Sequence, residues 1–200
     1  ALDQLPADMW RYYLCAVAPE SKDSDFDWDD FMHRYNGELC DVVGNFIHRT
    51  LTMTVKNFDG AVPEPGPHTP EDEAVLTYIP VQLDAIAEAL DQFRFRQALE
   101  RFIELGRRGN VYFDTMQPWV TRKTDRARTA TTLYVCCQII RALCPAMAPF
   151  LPEGAARLAG LLGVPVQLGG PDGGPDVWEE AKHGLLAGTP LRKPEVLFPK

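Results

Sequence analysis

Apolar residues recur at helical spacing along most of the chain. ADMWRYYLCAVA (7–18) predicts a first helix, entered through Pro6 and stopped before Pro19. After the acidic loop ESKDSDFDW, the apolar residues Phe31, Tyr35, Leu39, Val42, Val43, Phe46 and Ile47 repeat with a period near 3.6. They predict one long helix from about 28 to 54. Asp27 is placed to cap it, with Asp29 and Asp30 in the first turn, where they complement the helix dipole. NFDGAVPEPGPHTP (57–70) is too rich in Pro and Gly for a helix to cross. Two further helices are expected at roughly 71–90 and 92–116, with Pro80 kinking or breaking the first. TDRARTATTLYVCCQIIRALCPAMAPF predicts a strongly apolar helix ending near Cys144 and Pro145. A short last helix follows at 153–163, terminated by Gly163. No stretch alternates as a strand does, and nothing repeats. The expected fold is all-α, an antiparallel helical bundle over 1–163. The Gly- and Pro-rich remainder, 164–200, is expected to pack on it as an extended tail with a short helix, anchored by Trp178, Leu197 and Phe198.

Length and composition leave that picture in place. Two hundred residues, 46% hydrophobic and 24% charged, suit a single soluble domain with a substantial core. No uninterrupted apolar run approaches the roughly 18 residues a bilayer demands, so no membrane partner is expected. The opening ALDQLPADMW lacks the basic-then-apolar order of a signal peptide. It also starts without methionine and in mid-pattern, which suggests a piece of something longer. Cys15, Cys40, Cys136, Cys137 and Cys144 form no C-x-x-C pair. They read as small packing residues in a reducing cytoplasm, with no metal implied.

Charge changes the picture more. The net charge of −8 conceals an uneven spread. Residues 1–93 carry 5 basic and 18 acidic side chains, residues 94–141 carry 10 and 4, and residues 142–200 carry 5 and 6. An acidic chain with one basic zone suits a grip on a single local element rather than the coating of DNA.

Catalytic signals are missing. Neither G-x-x-x-x-G-K-[ST] nor G-x-G-x-x-G occurs, and the four histidines have no ligand spacing. Acid pairs such as Asp29/Asp30, Asp72/Glu73 and Glu179/Glu180 sit at helix starts and read as dipole partners. This stretch is expected to be non-catalytic.

Binding chemistry is present in two places. In DTMQPWVTRKTDRART (114–129), Pro118 fixes its own φ and presents Trp119 ahead of Arg122, Lys123, Arg126 and Arg128. An indole followed by cations can hold an unstacked base beside its phosphates. A core Trp at a helix start, with a basic face behind it, fits the same residues. In LCDVVGNFIHRTL, the residues Asp41, Asn45 and Arg49 stand at i, i+4 and i+8, one row along the edge of the apolar stripe. Polar groups looking into such a groove need partners, either one another or a ligand. Taken together the two stretches suggest a nucleobase. An Asn amide and an Arg fork supply the donors and acceptors for the Watson–Crick edge of an extruded cytosine. Trp119 supplies the stacking surface that single-stranded RNA recognition uses, and Arg122, Lys123 and Arg126 would meet phosphates.

Four segments resemble the C-terminal helical, anticodon-binding region of methionyl-tRNA synthetases, a family of class I aminoacyl-tRNA synthetases. ADMWRYYL is similar to the family's A-D-x-x-R-Y-Y-L. SDFDWDDFMHRYNGELCDVVGNFIHRTL is similar to its F-x-W-x-x-F-x-x-R-x-N-x-E-L…G-N-x-x-x-R helix. FRFRQALERFIELGRRGNVYFDTMQPWVTRK resembles its long helix leading to the Pro-Trp pair, and MAPFLPEGAARLAGLLG with the ending LFPK resembles its last segment. The resemblance implies that Asn45 and Arg49 contact the anticodon, with Pro118 and Trp119 stacking on its first base. Asp41 stands where many relatives carry Asn. A carboxylate accepts without donating, which leaves Asp41 to aim Arg49 or to accept from an exocyclic amine. The implied function is an RNA-binding module that recognises the CAU anticodon of tRNA-Met within a methionine–tRNA ligase. ATP-dependent aminoacylation would lie in a catalytic domain whose H-I-G-H and K-M-S-K-S peptides this chain lacks. ATP with Mg, and Zn, are expected there and no cofactor here. The implied partners are the anticodon stem-loop and that catalytic domain, for which Trp10, Tyr12 and Tyr13 offer aromatic surface. Two other readings stand beside this one: a stand-alone paralogue that binds tRNA without aminoacylation, and a helical protein-interaction scaffold with Trp119 as core or interface anchor.

Overall fold

A computed structural model describes residues 5–20, 23–164 and 176–200. Its helices are α1 (Ala7–Ala16), α2 (Trp28–Arg34), a π-helical stretch (Tyr35–Gly44), α3 (Asn45–Asn57), α4 (Pro70–Asp91), α5 (Phe95–Met116), α6 (Pro118–Thr121), α7 (Arg126–Met147), α8 (Pro152–Leu162) and α9 (Val177–His183). Among the described residues there is no strand, only an isolated bridge between Ala61 and Pro190. The all-α expectation holds. α7 is the central element and packs against α3, α4, α5, α8 and α9. It is long and apolar enough to cross a membrane by composition, yet 94% of that window is buried inside the bundle. It is a core helix.

Local signals in the chain explain most boundaries. Asp27 caps α2 by accepting from the Asp30 N–H at 2.7 Å. Pro70 stands at the first position of α4, behind a capping box in which the Asp72 carboxylate accepts from the Thr69 N–H at 2.8 Å. Gly163, at φ +66°, closes α8 in the left-handed conformation expected of it. α4 runs through Pro80 without a break, and α7 continues past Pro145 to Met147.

The long second helix departs from expectation. It spans Trp28 to Asn57 as one rod, but its middle is π-helical, with i→i+5 bonds. The rod lies very close to α5. A Cβ on Gly109 would stand 2.5 Å from the Phe46 ring, and one on Gly106 would stand 3.1 Å from Val43 Cγ2. Of the row of Asp41, Asn45 and Arg49, the first member lies in this π-helical stretch and the other two lie in α3.

Asp72 sits in the first turn of α4, as its reading as a dipole partner requires, and has a second role. It is fully buried and receives both guanidinium nitrogens of Arg128 at 2.7 Å, together with the Tyr112 hydroxyl. This cluster ties the start of α4 to the last turns of α5 and the start of α7.

Of the expected tail, residues 165–175 lie outside the described residues. Further on, Gln138 of α7 holds the Leu185 backbone at both ends, accepting from its N–H at 2.6 Å and donating to its carbonyl at 3.1 Å. Leu197 and Phe198 are buried and Trp178 half-buried. The Phe198 ring lies against Gly44 and Gly154, where a Cβ would come within 3.3 Å of it.

Candidate nucleic-acid interface

The two candidate stretches, some seventy residues apart in sequence, meet where α5 ends against α3. α5 stops at Gln117, which takes φ +46° and serves at once as the cap of α5 and the entry to α6. Pro118, at the first position of α6, is buried. Trp119 follows it and keeps 37% exposure. Its indole stacks on the Phe113 ring, with centroids 5.7 Å apart and planes at 29°. The Arg49 guanidinium lies over the same Phe113 ring, 4.2 Å from the centroid. Phe113, itself 2% exposed, is the spacer that joins the two stretches.

Arg49 is aimed by α5. Its Nη1 donates to Asp114 at 2.9 Å and its Nη2 to the Asn110 carbonyl at 3.3 Å. Asn110 in turn donates from Nδ2 to the carbonyls of Val42 at 2.9 Å and Gly106 at 3.1 Å, and so splices the π stretch to α5. The sequence reading missed Phe113, Asn110 and Asp114. Their i, i+3, i+4 spacing just ahead of MQPW marks one helix face and was the available signal.

Asn45 is exposed in the first turn of α3. Asp41 is exposed as well, and the expected Asp41–Arg49 contact does not form. The Asp41 carboxylate pairs with Lys200 Nζ at 2.7 Å, while Arg49, two turns further along, bonds to Asp114 and the Asn110 carbonyl. A double-mutant cycle between Asp41→Asn and Arg49→Ala, read as stem-loop affinity, is therefore expected to be additive within about 0.5 kcal/mol.

The basic run after Trp119 divides. Arg122 and Lys123 are exposed just past α6. Arg126 opens α7 and lies over the Phe58 ring at 4.8 Å, still exposed. Arg128 is drawn inward to Asp72, so three cations of the four remain at the surface. Asp125 caps α7 by accepting from the Arg128 N–H at 2.8 Å.

Residues 62–200 match the family model described as the anticodon binding domain of methionyl tRNA ligase, and residues 1–51 match that of class I tRNA synthetases of the methionine type. The chain belongs to the methionyl-tRNA ligase family. Among its relatives, the methionine–tRNA ligase of Pyrococcus abyssi is 41% identical over 199 residues, covering all of this chain and 26% of its own length. That of Methanobrevibacter smithii is 37% identical, with 29% of its length covered. The structure of Mycobacterium tuberculosis methionyl-tRNA synthetase in complex with methionyl-adenylate superposes with a TM-score of 0.90 at 32% identity, over 100% of this chain and 38% of that one. The chain thus spans a quarter to two fifths of such ligases. Phe113, Trp119 and the exposed cations Arg122, Lys123 and Arg126 fall within the stretch matched by the anticodon-binding model, whereas Asn45 and Arg49 fall within the stretch matched by the class I model.

Proposed function

We propose that this chain reads the CAU anticodon of tRNA-Met on behalf of a methionine–tRNA ligase. The observation that carries the reading is the Arg49–Phe113–Trp119 stack, which unites an aromatic platform with a hydrogen-bonding fork. The exposed part of Trp119 takes the first anticodon base, with Phe113 behind it holding the indole in place. Asn45 and Arg49 address base edges, and Pro118 sets the angle of the indole. Arg122, Lys123 and Arg126 neutralise phosphates. Asp41, paired to Lys200, stands at the margin as an acceptor for an exocyclic amine.

Aminoacylation, with ATP, Mg and Zn, belongs to the rest of the ligase, in the cytoplasm. No group of three or more His, Cys, Asp or Glu side chains among the described residues is arranged to hold a metal ion. The partners are the anticodon stem-loop and the catalytic domain.

Gel shifts with a CAU stem-loop and one altered at its first base test the reading. Asn45→Ala and Arg49→Ala are each expected to reduce discrimination by about 1–3 kcal/mol, the cost of leaving a desolvated polar partner unsatisfied. Binding that ignores both the anticodon and the salt concentration would replace this reading with that of a protein-interaction scaffold.

A further inference from the structure

FRFR (93–96) covers the end of the turn between α4 and α5 and the first two residues of α5, at the opposite end of α5 from Trp119. Its bonds close α4 in a Schellman motif: the Phe93 N–H donates to the Leu90 carbonyl at 2.9 Å and the Arg94 N–H to the Ala89 carbonyl at 2.8 Å. Phe93 holds the left-handed position of that motif, at φ +56°. Glycine is the residue suited to it, since a Cβ there meets the following carbonyl. The Phe93 ring gives the fold little in return, being 75% exposed. It meets Phe95, itself 38% exposed, edge to face with centroids 6.3 Å apart. Arg94 and Arg96 are exposed between and beyond the rings, and among the described residues neither guanidinium has an ion-pair partner.

A bulky ring kept at a position where it strains the backbone and packs on almost nothing is placed for a contact outside the fold. Alternating aromatic rings and guanidinium groups are the chemistry of a base face beside phosphates, and this turn opens the chain's basic zone. Twenty-two residues of α5 separate the turn from Trp119, about 33 Å at ~1.5 Å per residue. We propose that the Phe93–Arg96 turn is a second RNA contact, gripping the body of the tRNA outside the anticodon loop held at Trp119. This rests on the tRNA reading above.

Affinities of the 200-residue chain for a tRNA-Met transcript and for its isolated anticodon stem-loop test the proposal. Phe93→Gly is expected to weaken binding of the whole tRNA about tenfold, one stacked ring lost, and to leave stem-loop binding unchanged. Its melting temperature should equal or exceed the parent's, because glycine relieves the left-handed position. Arg94→Ala should flatten the salt dependence for whole tRNA alone. Unchanged tRNA affinity in Phe93→Gly overturns the proposal and assigns the turn to a protein partner. Equal losses on both RNAs, or a lowered melting temperature, overturn it as a defect of folding. A parent chain that binds neither RNA removes the tRNA reading itself, and this contact with it.

Discussion

Asp72→Ala is expected to destabilise the chain by about 3–5 kcal/mol, because removing one member of a buried ion pair leaves the other without compensation. Asp72 has no exposed surface, and the Arg128 side chain keeps only 18%. Burial pushes the Asp72 carboxyl up, but the bonds from Arg128, Tyr112 and the Thr69 N–H outweigh it and hold the group below its usual range. A carboxyl depressed in the folded state contributes stability that is complete above its unfolded value. That contribution is lost as pH falls through the lower folded value. Urea titrations of parent and variant should therefore differ fully at neutral pH and converge in strong acid. A gap that persists at about pH 2 would mean that packing, rather than the ion pair, sets the cost. The same cluster seats Tyr112, beside Phe113, and opens α7. Its loss should also loosen the elbow that carries Trp119 and lower RNA affinity.

Trp119→Ala is expected to weaken tRNA-Met binding by about 1–3 kcal/mol, the worth of one base–aromatic stack, with the helical content preserved. Its ring rests on Phe113 at the surface rather than in the core. Phe113→Ala should differ in kind, since that ring is buried and supports Arg49 as well as Trp119. There, both stability and anticodon discrimination should fall. Arg122→Ala and Lys123→Ala should weaken all tRNAs alike and reduce the salt slope, as phosphate contacts do. Circular dichroism alongside affinity separates these outcomes. Unfolding of Trp119→Ala would make the indole a core residue and end the stacking proposal.

Helix existence and most helix ends were legible because the relevant bonds are local. Pro6, Asp27, Pro70 and Gly163 each act on backbone within a turn of themselves, and the 3.6 period records which face is buried. The residue types of the proposed RNA-binding face were legible too, at Asn45, Arg49 and Trp119, since donors, forks and rings announce their chemistry wherever they sit. Which of them share a face was not. The row at 41, 45 and 49 assumed α-helical turning throughout. The backbone is instead π-helical at 35–44, in a rod that lies close against α5, where a Cβ on Gly106 or Gly109 would crowd Val43 or Phe46 and Asn110 donates to the Val42 carbonyl. Arg128 read as one more surface cation, yet it bonds across 56 residues to Asp72. Arg49 bonds across 65 residues to Asp114 rather than across eight to Asp41. The sequence by itself determined the helices and the chemical inventory, because propensity, capping and periodicity are properties of neighbouring residues. Only the tertiary structure decided which charges pair, which ring becomes the spacer and where the π stretch forms. Those outcomes depend on close packing between segments that no local pattern relates.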